Sequence, residues 1–252
     1  MELETANRNE NAITGNSPPL IRLRQITYGY PGRQLILENL DFELHAGERV
    51  GLLGPNGSGK TTLLHIIMGL LKPLSGEIEI IGRPVHTKRD FQSVYHKIGL
   101  LFQDADDQLF CPTVLEDVAF GPLNLNKSKD EAIAIAQKTL NSLGLFGFEE
   151  RVTHQLSGGE KRLIALATVL AMEPEVLLLD EPSTGLDDNT RVRLSHVLNH
   201  INQSYILISH ESHFMQATTN TLYRLDHGKL IHQDIVHTHP HSHPHLDHNH
   251  QH

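Results

Sequence analysis

The apolar run Arg49-Val50-Gly51-Leu52-Leu53 leads straight into Gly54-Pro55-Asn56-Gly57-Ser58-Gly59-Lys60-Thr61, and a helical pattern continues from Thr61 to Leu71. The segment fits G-x-x-x-x-G-K-[ST] in the setting that pattern needs, a buried strand before it and a helix after. Its glycines let backbone N–H groups close on phosphate oxygens, and the helix N-terminus adds a positive dipole end. Lys60 would reach the β and γ oxygens, and the Thr61 hydroxyl would ligate Mg²⁺. With Thr62 on the same turn, Gly54 to Thr62 form the candidate nucleotide cradle.

A second buried strand, Val176 to Asp180, ends in Asp180-Glu181. Acidic side chains at a strand's carboxyl end lie in the crevice where α/β proteins bind ligands. Asp180 would hold Mg²⁺ through water, and Glu181 would polarise an attacking water as general base. Upstream, Leu156-Ser157-Gly158-Gly159-Glu160 opens a helix and offers a second set of free N–H groups to a phosphate. Two phosphate cradles and one acidic strand end in a small chain imply a nucleotide held between two copies.

Organisation follows from periodicity. Ile21 to Arg24 and Leu40 to Leu44 alternate about a Pro31-Gly32 turn, as an antiparallel β region does. Glu77–Ile81, Ile98–Phe102 and Tyr205–Ser209 are further strands. Val114–Phe120, Lys129–Leu143 and Gly158–Met172 have helical spacing, and the first two read as a separate helical subdomain within about 104–172. Strands alternating with helices indicate a parallel α/β core. Residues 1–19 read as a flexible lead-in, residues 20–235 as the nucleotide-binding domain, and residues 236–252 as a His-rich tail.

At 252 residues the chain can bury one substantial core. It has no apolar stretch long enough to span a bilayer and no secretory signal at Met1 to Pro19. Cys111 is its single cysteine, as suits a reducing cytoplasm. A net charge of −9 argues against a general nucleic-acid partner.

Gly54 to Thr61, Gln103, Leu156 to Glu160, Asp180-Glu181, Ser183 to Asp187 and His210, in that order, resemble an ATP-binding-cassette ATPase over about Ile21 to Gly228. The resemblance implies an α/β fold with a P-loop NTPase parallel-sheet core, an antiparallel β subdomain and a helical subdomain. It implies ATP and Mg²⁺ as cofactors, and hydrolysis rather than binding alone. Tyr30, with Tyr28 as rival, is similar to the aromatic that stacks on adenine. Gln103 looks like the loop glutamine that senses Mg²⁺ and the γ-phosphate. Ser157, Gly158 and Gly159 would touch ATP on a second subunit, either another copy or a related chain. Asp187 resembles the aspartate at the dimer seam, and His210 the switch histidine gripping the γ-phosphate. Glu211 departs from the family, in which Asp commonly follows that histidine.

The segment Asp104 to Phe110, with Thr113 to Pro122, is similar to ATPases of energy-coupling-factor transporters, in which a short helix contacts a membrane subunit. Leu109 and Phe110, flanked by acids, form the candidate docking patch. The implied partners are an integral membrane coupling subunit and a substrate-binding membrane subunit, with the ATPase peripheral on the cytoplasmic face. His237, His239, His241, His243 and His245 open a tail whose alternate imidazoles suit Ni²⁺, Co²⁺ or Zn²⁺. The expected cargo is therefore nickel or cobalt. A biotin, thiamin or folate importer shares every motif up to His210, and a non-transport cassette ATPase is the further alternative.

Overall fold

The structure, a computed structural model, describes residues 18–233. Most of the sequence read as a lead-in and all of the His-rich tail lie outside the described residues. In chain order the elements are β1 (Ile21–Gly29), β2 (Leu35–Leu44), β3 (Arg49–Leu53), α1 (Lys60–Ile67), β4 (Ser75–Ile80), β5 (Arg83–Pro84), α2 (Lys88–Gln92), β6 (Ile98–Leu101), α3 (Val114–Asn124), α4 (Lys129–Ser142), α5 (Gly158–Leu170), β7 (Val176–Asp180), α6 (Asp188–His200), β8 (Ser204–Ile208), α7 (Ser212–Thr218), β9 (Thr221–Asp226) and β10 (Lys229–Gln233).

Two sheets result. The first is antiparallel, in the order β2-β1-β4-β5; the second runs β10-β9-β3-β8-β7-β6. In the second, β9, β3, β8, β7 and β6 are mutually parallel, and β10 adds an antiparallel edge. Every residue of β7 and β8 is buried, as expected of strands covered on both faces. Leu177, Leu179, Tyr205 and Leu207 point into a cluster with residues of α3 to α7. Val176, Leu178, Ile206 and Ile208, one residue out of phase, join α1 and the antiparallel sheet. The helices read as a separate subdomain thus share their apolar core with one face of the sheet.

Some boundaries differ from the periodicity, for local reasons. The first helix ends at Ile67 because Gly69 takes φ +71, letting its N–H reach Ile66 O (3.0 Å) and that of Leu70 reach His65 O (2.9 Å). A β-carbon at Gly69 would meet the Phe91 ring at 2.5 Å, so the turn also seats α2. The carboxyl ends of β3, β6, β7 and β8 fall on one edge of the sheet. The phosphate loop, Gln103, Asp180-Glu181 and His210 therefore converge there. Among the described residues no helix is long and apolar enough to cross a membrane.

Candidate functional site

The phosphate loop bends between β3 and α1 by taking backbone conformations closed to most residues. Gly59 sits at φ +106, and a β-carbon there would lie 2.5 Å from Ile36 Cγ2. Lys60, 7% exposed, donates to the carbonyls of Gly54 (2.8 Å) and Pro55 (3.1 Å). Burial lowers its ammonium pKa, while Glu181 and Asp180 oppose that shift. Ser58 Oγ is buried without a hydrogen-bond partner, and phosphate oxygens would satisfy such a donor.

Around Lys60 opens a cleft of about 630 Å³ lined by Tyr30, Asn56, Thr61, Thr62, Gln103, Asp180, Glu181 and His210. The two tyrosines separate clearly. Tyr28 is buried in the sheet, whereas Tyr30, one residue beyond β1, faces the cleft with its hydroxyl 3.2 Å from Thr62 Oγ1. The rings meet edge-on at 5.2 Å, so the inner braces the outer.

Burial raises the Asp180 pKa, and hydrogen bonding to Thr61 works against it. Such a carboxylate beside a threonine hydroxyl is an oxygen donor set suited to Mg²⁺. Glu181, 6% exposed, occupies φ +53, a conformation rare for a side-chain-bearing residue. Its N–H donates to Ile208 O at 3.0 Å, and Oε2 accepts from the Thr184 hydroxyl at 3.2 Å. Oε1 lies 3.1 Å from His210 Nε2 without receiving a well-aligned hydrogen bond. Burial raises the Glu181 pKa and His210 partly restores it, which suits a general base that keeps one buried oxygen without a hydrogen-bond donor.

Sequence reasoning missed Arg162. From α5 it donates to the carbonyls of Gln103 (2.7 Å) and Glu181 (2.9 Å), tying together the ends of β6 and β7. The only hint was a basic pair, Lys161-Arg162, just after the Ser-Gly-Gly turn.

Ser157, Gly158, Gly159 and Asp187 do not line this cleft. Ser157 and Gly158 are exposed at the start of α5, where Ser157 Oγ accepts from Glu160 N–H (3.3 Å) and donates to Glu160 Oε2 (2.8 Å). Asp187 caps α6 through Thr190, which holds its carboxyl below the usual range. Within one chain the second phosphate cradle therefore faces outward.

The two residues of the candidate docking patch sit differently. Leu109 is half-buried against the core, whereas Phe110, 67% exposed, stacks edge-on with Phe120 at 4.8 Å. Both rings border an apolar groove of about 410 Å³ that also takes in Leu70, Tyr95, Phe102 and Met172. Asp117 holds that rim: Oδ1 accepts the N–H groups of Phe110 (3.0 Å) and Cys111 (2.9 Å), and Oδ2 accepts the Thr153 hydroxyl (3.1 Å). Among the described residues there is no group of three or more His, Cys, Asp or Glu placed to hold a metal. The tail histidines lie outside the described residues.

Residues 37–184 match the family profile described as ABC transporter. A Nitratidesulfovibrio vulgaris protein provisionally named as an ABC transporter ATP-binding protein is 51% identical over 94% of this chain and 88% of its own length. The energy-coupling factor transporter ATP-binding protein EcfA of Methanothermobacter thermautotrophicus is 41% identical over 84% of this chain and 70% of its own. Among solved structures, cbiO1 of Clostridium perfringens, described as part of the ABC transporter complex cbiONQ, superposes with a TM-score of 0.76 at 30% identity. That match covers 85% of this chain and 88% of the other. A dimeric ATP-binding cassette in a post-hydrolysis state bound to ADP and Pi superposes at 0.77 with 28% identity, covering 83% and 96%. The chain belongs to the ABC transporter family, as an ATP-hydrolysing subunit whose relatives include energy-coupling-factor ATP-binding proteins.

Proposed function

We propose that two copies of this chain sandwich two ATP molecules and use their hydrolysis to drive an importer of a transition-metal ion, nickel or cobalt. One observation carries the pairing: Ser157 and Gly158 are exposed, and the Ser157-Gly158-Gly159 turn lies outside the cleft that holds Lys60 and Glu181. Each ATP would rest on Lys60 of one copy and be closed by Ser157 of the other. Lys60 would exchange its loop carbonyls for phosphate oxygens, and the hydroxyl of Thr61 with the carboxylate of Asp180 would hold Mg²⁺. The ion supplies charge stabilisation at the transferred phosphoryl group. Glu181 would take a proton from water, His210 would grip the γ-phosphate, and Gln103 would report its presence. Tyr30 would stack on adenine, and Asp187 would sit at the seam.

The groove beside Phe110 and Phe120 supports docking of a membrane subunit, because an exposed aromatic rim on an apolar cleft suits an inserted helix. The metal cargo is supported by the imidazole-rich sequence after Val236, which disfavours the vitamin reading. The test is gel filtration of Glu181→Gln with ATP and Mg²⁺. The variant should run as a dimer without turnover, and a monomer under saturating ATP would sink the sandwich. Uptake of ⁶³Ni by the assembled transporter then decides the cargo.

A further inference from the structure

Arg162 stands about a turn and a half beyond Ser157 on α5, so one rigid helix carries both residues. Its fork ends on two main-chain oxygens, Gln103 O and Glu181 O, whatever side chains those residues bear. Neighbours on α5 reinforce the attachment. Lys161 Nζ pairs with Asp106 Oδ1 at 2.6 Å. Gln108 donates to Ala165 O and Thr168 Oγ1, each at 2.9 Å, while accepting Phe102 N–H at 3.2 Å. The stretch from Phe102 to Gln108 is thereby fastened along α5 from Lys161 to Thr168.

Glu181 needs such support. Its φ of +53 persists only where surrounding contacts over-determine it, and Arg162 grips the carbonyl of that residue. A guanidinium is a planar, rigid fork, so reorienting it shifts both acceptors together; an ammonium has no such geometry.

We propose that Arg162 is a positioning residue that couples the two ATP sites of the pair. Contact of Ser157–Gly159 with the γ-phosphate in one site sets the angle of α5. Arg162 passes that angle to Gln103 and Glu181 of the other site. The proposal rests on the two-copy arrangement above and adds a path between the sites.

The test is ATP-dependent turnover of the full chain and of Arg162→Lys and Arg162→Met, with ATP binding measured separately by a fluorescent analogue. The native chain should give a Hill coefficient for ATP well above one, bounded by its two sites. Both variants should lose on the order of 10- to 100-fold in kcat, since small misplacements of reacting groups cost that much. Their Hill coefficients should fall to one, while nucleotide affinity stays within about threefold, because cradle contacts are untouched. Should Arg162→Met fail to fold, Arg162→Lys carries the test, because it keeps the charge and the helix propensity. The coupling is overturned if the native chain is non-cooperative, if Arg162→Lys matches it, or if kcat falls with cooperativity intact. A parallel Glu181→Gln assay separates the failures. Full turnover in that variant would remove the base assignment and the coupling with it. Lost turnover there, beside native behaviour in Arg162→Lys, would remove the coupling alone.

Discussion

Replacing Asp117 tests whether the Phe110 rim is held by hydrogen bonds or merely by packing. The carboxylate is 3% exposed and accepts three hydrogen bonds, two from the N–H groups of Phe110 and Cys111 and one from Thr153. Asp117→Ala would strand both N–H groups in a partly buried turn, at roughly 1 kcal/mol or more each. Thr153 loses less, since its hydroxyl can still donate to Cys111 O at 3.1 Å. With charge-assisted bonds at the stronger end, the total comes to about 3 kcal/mol. Asp117→Asn behaves differently. Its amide oxygen can accept the same two N–H groups, and its NH₂ can donate to Thr153, which turns its own proton to Cys111. That variant should lose no more than about 1 kcal/mol. In a domain of this size the alanine variant should melt about 6–12 °C lower and the asparagine variant within about 4 °C. Differential scanning calorimetry of both proteins reads this directly. Equal losses would show that charge, not the hydrogen-bond pattern, is what matters; a near-native alanine variant would refute the reasoning altogether.

Three further outcomes follow from the same geometry. Phe110→Ser with Phe120→Ser should leave the melting point and nucleotide binding near native but abolish co-purification with the membrane subunit; undiminished assembly would remove the groove as the docking site. Burial raises the pKa values of Glu181 and Asp180, so turnover should fall on acidification at a higher pH than an ordinary carboxylate would give. The sign for stability is the reverse. The folded state holds extra protons between the ordinary and raised values, so nucleotide-free protein loses stability as pH rises through that window. Glu181→Gln should flatten this slope, and an unchanged slope would contradict the assignment. Deleting residues 236–252 should remove Ni²⁺ binding in calorimetry and leave ATP binding intact, whereas retained Ni²⁺ affinity would end the argument from the tail.

Where a motif dictates its own backbone, the sequence was a sufficient guide. The phosphate loop and the strands ending in Asp180 and Ile208 read correctly because their glycines and unbroken apolar runs leave few alternatives. Choices made by tertiary packing were not readable. Leu109 and Phe110 are adjacent, equally apolar residues, and only the position of α3 and α5 decides which turns inward. Tyr28 and Tyr30 share a strand face by alternation, and the end of β1 at Gly29 is what frees the second. Helices α6 and α7 and strand β10 escaped notice because half or more of their residues face water and blur the period. Beyond its place in the basic pair Lys161-Arg162, nothing in the sequence marks Arg162, since its partners are backbone carbonyls far away in sequence.

The central claim is that each ATP site is built from Lys60 and Glu181 of one copy and the Ser157 turn of the other. Mixing two inactive chains tests it most directly. One carries Glu181→Gln; the other carries Gly158→Asp, where a new side chain meets nothing within 4 Å but places a negative charge on the turn. In a mixed dimer both lesions fall in one site; the second keeps an unaltered Lys60, Glu181 and Ser157 turn, slowed below the native rate only by the coupling through Arg162. Turnover should therefore appear on mixing, well above that of either variant alone. If the mixture stays as inactive as its parents while mixed dimers are present, the site lies within a single chain and the account is wrong.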